Sequence, residues 1–145
     1  MKNNLFFSWA LFVVFCRQTL HSSARMQDLE CTFDYNGERL VGTFRGFDGD
    51  RATIVSDELY TSLPSTDILF DTQELEDAKM FYLAAYKAAR KAFDAEMAEL
   101  HSNYPPETTG EEALALHNAK LPLITAFQAK LAEFIKTFAK IAHGF

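Results

Sequence analysis

The chain has 145 residues, 48% of them hydrophobic and 23% charged, and its formal net charge is -6 at pH 7. A chain of this length supports one compact domain, and its hydrophobic content is too high for an intrinsically disordered protein. The acidic balance argues against a protein that wraps duplex nucleic acid, because that binding depends on neutralising phosphates with Lys and Arg. A cationic or apolar protein partner fits this charge better.

Residues 1–24 have the pattern of a removable export signal. Lys2 provides a positive start, residues 5–15 form an almost unbroken apolar run, and Ser22-Ser23-Ala24 offers small residues where a signal peptidase would cut. The apolar run is shorter than the roughly 20 residues that a transmembrane helix needs. We therefore predict a signal peptide over residues 1–24 and a mature protein in the periplasm or outside the cell.

The same segment has two other interpretations. Met26 follows the predicted cleavage region directly, so residues 1–25 are alternatively an upstream extension that a cytoplasmic working protein lacks. A retained amphipathic or anchoring segment is the third interpretation. If the segment is absent, Cys31 is the single remaining cysteine and no intramolecular disulfide forms. The alternation of Cys31 with Phe33 predicts a small buried side chain.

Residues 27–70 are predicted to form a small β module. Apolar and polar residues alternate from Cys31 to Tyr35, and Asn36-Gly37 then supplies the strongest short-range signal for a β-hairpin. The return strand, residues 38–47, contains two glycines, which indicate a bulge or a sharp bend.

Two further strands are predicted after this hairpin. Residues 51–56 form the third and residues 67–70 a short fourth, so we expect an antiparallel meander of three or four strands. Between them, residues 59–64 are predicted to be a loop, which either packs onto the domain's own sheet or exposes Tyr60 and Leu63 for contact with a protein partner.

Glycine-containing turns and bends recur at short intervals along this segment. Tyr35-Asn36-Gly37 is followed by Gly42-Thr43-Phe44 and then by a run from Asp48-Gly49-Asp50 to Ile54. In outline this meander resembles the small SH3-like barrels of ribosomal and translation-factor type. The resemblance implies a curled sheet and carries no function across.

After residue 70 the apolar period changes from that of a strand to that of a helix. Asp71 or Thr72 is expected to cap the first helix, and Tyr104-Pro105-Pro106 prevents its continuation. Its apolar stripe steps by three, four and seven through Leu75, Tyr82, Tyr86, Ala89, Phe93, Met97 and Leu100.

Thr109-Gly110-Glu111-Glu112 is a capping box that starts a second helical region, and Pro122 is expected to kink or divide it. A heptad-like seam runs beyond the proline through Ile124, Phe127, Leu131, Phe134, Phe138, Ile141 and Phe145. We therefore predict that residues 71–145 form a long antiparallel helical hairpin, with the second helix kinked at Pro122. Together with the meander this gives an α+β fold.

The sequence lacks the motifs of common catalytic and cofactor sites. Its histidines are scattered, and it contains no His-x-x-x-His or Cys-x-x-Cys pair that would predict a transition-metal site. It also contains no glycine-rich phosphate loop and no Gly-x-Ser-x-Gly nucleophile elbow. We expect a non-catalytic protein with no metal and no cofactor.

The centre of the first helix carries a basic island formed by Lys79, Lys87, Arg90 and Lys91. These side chains are expected on a solvated helix face, where they exchange ion pairs with Glu76 or Asp94. The candidate contacts for a protein partner are Arg39, Arg45, Tyr60, Leu63, Lys87, Arg90 and Lys91.

The sequence predicts an exported interaction or adaptor protein that binds another protein through its helical hairpin or a sheet edge. The alternative is a cytoplasmic regulatory or adaptor module that starts at Met26 and contacts nucleic acid through Arg39, Arg45 and Arg51 on its sheet. Three lysines opposite the seam of the final helix also suit peripheral contact with an anionic membrane. They are Lys130, Lys136 and Lys140.

Overall fold

A computed structural model describes residues 29–57, 59–105 and 109–143. A five-stranded antiparallel sheet comes first along the chain, and two long helices follow it. The predicted α+β class is therefore confirmed. The predicted signal segment lies outside the described residues.

The strands are β1 (Glu30–Tyr35), β2 (Glu38–Asp48), β3 (Arg51–Ser56), β4 (Leu59–Pro64) and β5 (Ile68–Phe70). Their order across the sheet is β4-β3-β2-β1-β5, and every neighbouring pair is antiparallel. A single turn of 3-10 helix, Ser65–Asp67, separates β4 from β5. β4 and β5 are thus the two edges of the sheet among the described residues.

The predicted hairpin turn joins β1 to β2. Asn36 and Gly37 have φ angles of 51° and 81°, and Tyr35 pairs with Glu38 on either side of them. Both central positions of such a turn need positive φ, which Asn and Gly adopt at low cost. The predicted bend in β2 is also present, because its register against β3 shifts between Phe44 and Gly46.

The sheet has five strands, so the expectation of three or four was wrong. Leu59–Pro64 is strand β4 and not a loop, since it pairs with β3 from Ser56↔Leu59 to Arg51↔Pro64. Its side chains alternate between partly buried and exposed, as those of a half-buried strand do. Pro64 is the last residue of an edge strand, a position where its missing N–H breaks no ladder hydrogen bond.

The two helices are α1 (Gln73–Ser102) and α2 (Glu111–His143). Of the two predicted caps, Thr72 is the one used, because its Oγ1 accepts a hydrogen bond from Leu75 N at 3.2 Å. The helices pack against each other as an antiparallel pair, with the rings of Phe93 and Phe127 stacked 4.6 Å apart. Pro122 lies inside α2 and does not divide it, while the kink stays a prediction.

One hydrophobic core joins the sheet to the hairpin. Its buried members on the helices are Leu75, Ala78, Tyr82, Ile135 and Phe138. Those on the strands are Cys31, Phe33, Phe44, Phe47, Ala52, Ile54, Ile68 and Phe70. The sheet therefore covers the end of the hairpin where α1 begins and α2 finishes.

Phe138 lies at the centre of this core. Its ring centroid is 4.9 Å from that of Phe47 and 5.7 Å from those of Phe44 and Phe70. The seam predicted for α2 is correct at Phe138, but the buried face of the helix departs from it on either side of this residue. Ile135, which lies outside the predicted seam, is buried, and Ile141 is 37% exposed.

Phe138→Ala is expected to lower the free energy of unfolding by about 3–5 kcal/mol, because it empties an aromatic site that is only 1% exposed. Phe134→Ala should cost less, since Phe134 is only partly buried against the core. The matched control is Phe81→Ala on α1, whose side chain is 64% exposed and whose loss should change stability by less than about 0.5 kcal/mol. Equal losses from Phe138 and Phe81 in urea unfolding would show that this core is wrongly placed.

Candidate functional site

The outer edge of β5 is covered by two side chains of α1. Lys79 Nζ donates a hydrogen bond to Ile68 O at 2.6 Å, and Phe70 N donates one to Glu76 Oε1 at 3.0 Å. Residues two apart in a strand present their backbone groups to the same side. Glu76 and Lys79, which also form an ion pair with each other, therefore satisfy this edge as another strand would.

The expectation that Lys79 lies on a solvated helix face was wrong, because the residue is 2% exposed. Its predicted ion pair with Glu76 is present. Burial of a Lys is tolerated here because the ammonium group has both an acidic partner and a carbonyl acceptor. Lys79 thus belongs to the structure of the sheet and not to a free basic surface.

Glu76→Gln should lower the free energy of unfolding by about 3 kcal/mol, since it leaves the buried Lys79 ammonium without its counter-charge. Adding Lys79→Met to that variant should recover part of the loss. The control is Asp94→Asn, which breaks the exposed pair between Asp94 and Arg90 and should cost less than about 1 kcal/mol. If the two single variants unfold at the same denaturant concentration, the edge-covering role of Glu76 is wrong.

Cys31 on β1 is buried, as the alternating pattern predicted, and its thiol is free. Burial raises the pKa of its thiol from 9.0 to about 11, although the nearby charge of Lys79 acts in the opposite direction. The thiol is therefore protonated at neutral pH. A protonated, enclosed thiol is a poor nucleophile.

In a Cys16→Ser background, Cys31 should not react with an aromatic disulfide reagent at pH 8 until the protein is unfolded. Because the pKa of Cys31 is higher in the folded protein, loss of the thiol proton destabilises the fold. This contribution to the free energy of unfolding is complete below pH 9 and is lost as the pH rises through about 11. Rapid labelling of the native protein, followed by absorbance, would contradict the burial of this thiol.

The outer edge of β4 differs from that of β5. No strand among the described residues pairs with it, and none of its six residues is charged. Tyr60 is 66% exposed. Ser62 O accepts a hydrogen bond from the Arg51 guanidinium at 2.9 Å, and Pro64 has no N–H to donate. Because backbone groups alternate along a strand, these two residues and Tyr60 present theirs to the open edge.

A groove of about 750 Å³ lies at the Pro64 end of β4, between the sheet and α1. On the sheet side it is lined by Asp50, Pro64 and Thr66. On the helix side its lining includes Leu83, Tyr86, Lys87, Arg90, Lys91 and Asp94. The groove is thus continuous with the open edge through Pro64.

Two tyrosines of α1, Tyr82 and Tyr86, lie against the β2–β3 turn, whose Asp50 lines this groove. Tyr82 Oη donates a hydrogen bond to Gly49 O at 2.7 Å. A β-carbon on Gly49 would lie 2.9 Å from Tyr86 Oη, and Gly49 has a φ of 61°, so a larger residue would strain the backbone and displace the Tyr86 hydroxyl. Burial raises the pKa of Tyr86, and the Arg90 charge beside its hydroxyl opposes that rise.

The β2–β3 turn also has a partly buried acidic residue, Asp48. Burial raises the pKa of Asp48, with Arg51 lowering it and Asp50 raising it. Arg90 is held over the Phe93 ring, 5.9 Å from its centroid, and its Nε lies 3.2 Å from Asp94 Oδ1. The predicted pairing of the basic island with Asp94 is therefore present at Arg90.

The structure brings three of the candidate residues together, since Lys87, Arg90 and Lys91 all line the groove. Tyr60 lies on the open edge of β4. Leu63, on the opposite face of that strand, packs partly against the core. The two remaining candidates lie elsewhere on β2: Arg39 is exposed opposite Asp34, and Arg45 is half-buried beside the bulge.

Searches of protein-family models, curated proteins and solved structures gave no match to this chain. Within residues 29–57, 59–105 and 109–143, no group of three or more His, Cys, Asp or Glu side chains is placed to hold a metal ion. None of the helices in these segments combines the length and apolarity needed to cross a membrane.

Proposed function

We propose that this is a non-catalytic interaction protein that binds an extended segment of another protein along β4. The observation that carries the proposal is the contrast between the two sheet edges. Glu76 and Lys79 cover β5, whereas at β4 no strand or helix side chain covers the outer edge: Ser62 O is bonded to the Arg51 guanidinium, and the outward N–H groups of Tyr60 and Ser62 have no partner among the described residues. An added strand would pair with the backbone groups at Tyr60 and Ser62, the mode of recognition known as β-augmentation.

The composition of β4 supports this role. Proteins commonly protect edge strands with charged side chains, bulges or covering elements, because an open edge pairs with other chains. β4 has no charged side chain. Proline also protects a sheet edge, because it has no N–H to donate, but β4 has proline only at its last residue, Pro64. Tyr60 adds an exposed aromatic ring beside the edge, of the kind enriched in protein interfaces.

The helical hairpin has less support as the main binding surface. Its facing aromatic side chains, such as Phe93 and Phe127, pack against each other, and Phe138 is buried against the sheet. Contact of α2 with an anionic membrane has the same difficulty. The lysines opposite the seam are exposed, but the phenylalanines that would enter the membrane already pack against α1 and the sheet.

We place the protein outside the cytoplasm on the strength of residues 1–24, whose pattern is that of an export signal. The second candidate, a cytoplasmic module that contacts nucleic acid, has weaker support. Arg51 is engaged by Ser62, and Arg39 lies opposite the acidic side chain of Asp34.

We also infer that the sheet is a small barrel of the SH3-like kind. Three features support this assignment: the meander order of β1 to β4, the bulge that bends β2, and the return of β5 to pair with β1. The assignment concerns fold alone and adds nothing to the proposed function.

The intact mass of the natural protein tests its location. Cleavage after Ala24 should leave a chain that starts at Arg25, as expected for an exported protein. A chain that starts at Met26 would favour the cytoplasmic alternative, and a chain that retains Met1 would contradict both.

Photo-crosslinking in the producing cells tests the binding surface. A benzophenone amino acid in place of Tyr60 should give a discrete protein adduct, whereas the same probe at Met80, which is 56% exposed on α1, should not. Ser62→Pro removes the outward N–H and should abolish the adduct, while Ser62→Ala keeps that N–H and should retain it. An adduct from Met80 alone, or one at Tyr60 that survives Ser62→Pro in a folded protein, would overturn the proposed mode of binding.

A further inference from the structure

We infer that the segment bound along β4 carries carboxylates at the end that lies beside Pro64, and that the adjoining groove receives them. This inference rests on the proposed function, because it names the chemistry of the partner at the same site. The partner is an extended protein segment with Asp or Glu at one end. The groove would then select among the many segments that an open strand edge can accept.

The groove continues the open edge of β4. Pro64 is both the last residue of β4 and part of the groove lining, and Thr66 lines the groove just beyond it. A strand added to β4 that extends past Pro64 therefore runs directly between the sheet and α1. The groove has a volume of about 750 Å³, which lies within the range of small ligand sites and can hold a few side chains.

The charge of the groove favours an anionic ligand. The groove contains three cations, Lys87, Arg90 and Lys91, against Asp50 and Asp94, in a chain whose net charge is -6. Asp94 is already paired with Arg90. Within the described segments, Lys87 and Lys91 have no ion-pair partner. They are exposed and one helical turn apart, so they repel each other until an anion lies between them.

The groove has an apolar floor as well as a charged rim. Leu83 and Tyr86 of α1 face Pro64 across it. A peptide backbone with short apolar and acidic side chains satisfies both parts. A nucleic acid strand has less to gain, because it has no peptide backbone to pair with the edge of β4.

A selection of random ten-residue peptides displayed on phage tests the inference. The full-length mature protein is expected to enrich peptides with β-forming residues over most of their length and Asp or Glu at one end. The Lys87→Gln/Lys91→Gln protein should lose the acidic enrichment. The control, Lys130→Gln/Lys136→Gln, removes the same charge from α2 and should select the same peptides as the unchanged protein.

One selected peptide and its Glu→Gln counterpart then give the affinity. Loss of the carboxylates should weaken binding roughly fivefold at low salt, the scale of one or two exposed ion pairs, and the difference should shrink at about 0.5 M salt. A ten-residue oligo-dT is expected not to displace the acidic peptide. Displacement would show a general polyanion site and overturn the inference.

The selection separates the two levels of the proposal. Peptides that depend on the N–H of Ser62 but show no acidic preference would overturn the groove inference and keep the proposed function. Acidic peptides that bind equally well to the Ser62→Pro protein would overturn β-augmentation. Failure to enrich any peptide, with the protein shown to be folded, would contradict both.

Discussion

The contact between Phe47 on β2 and Tyr82 on α1 determines where the first helix crosses the sheet. The two rings are stacked with their centroids 4.0 Å apart, and the Tyr82 hydroxyl is hydrogen-bonded to Gly49 O. A helix rises about 1.5 Å per residue. From this fixed point, the preceding turns place Glu76 and Lys79 at β5, and the following turns place Arg90 beside the groove.

The two edges of the sheet follow from this placement. At β5, the cost of burying an ion pair is offset because both charges also bond backbone groups that would otherwise be unsatisfied. At β4, α1 has already passed toward the Pro64 end, and none of its side chains in the described structure bonds the outer backbone of Tyr60 or Ser62. One helix thus covers one edge and leaves the other open, with a groove beside its end.

Local signals in the sequence were sufficient for the parts of the fold that depend on neighbouring residues. Asn36-Gly37 forms the predicted turn, and Thr72 caps α1 as expected. β4 was missed because its serine and proline resemble a loop, although Leu59, Thr61 and Leu63 alternate with exposed residues. Its identity as a strand depends on pairing with β3, which is a tertiary contact.

The buried positions of Lys79 and Ile135 had a partial signal. Lys79 lies four residues after Leu75 and three before Tyr82, so helical spacing places it on the buried face; its charge argued for the opposite. Ile135 fits the spacing between Leu131 and Phe138 as well as Phe134 does. The groove had no sequence signal, since it exists only where the end of β4 meets the middle of α1.

Amide hydrogen exchange measured by NMR shows directly whether one sheet edge is covered and the other is open. We expect the Phe70 amide, which is bonded to Glu76, to exchange slowly, like the amides of β1. The Tyr60 and Ser62 amides should exchange quickly, while those of Thr61 and Leu63 on the same strand are protected. Fast exchange at Phe70, or protection of Tyr60 and Ser62 equal to that of Thr61, would contradict this difference between the two edges.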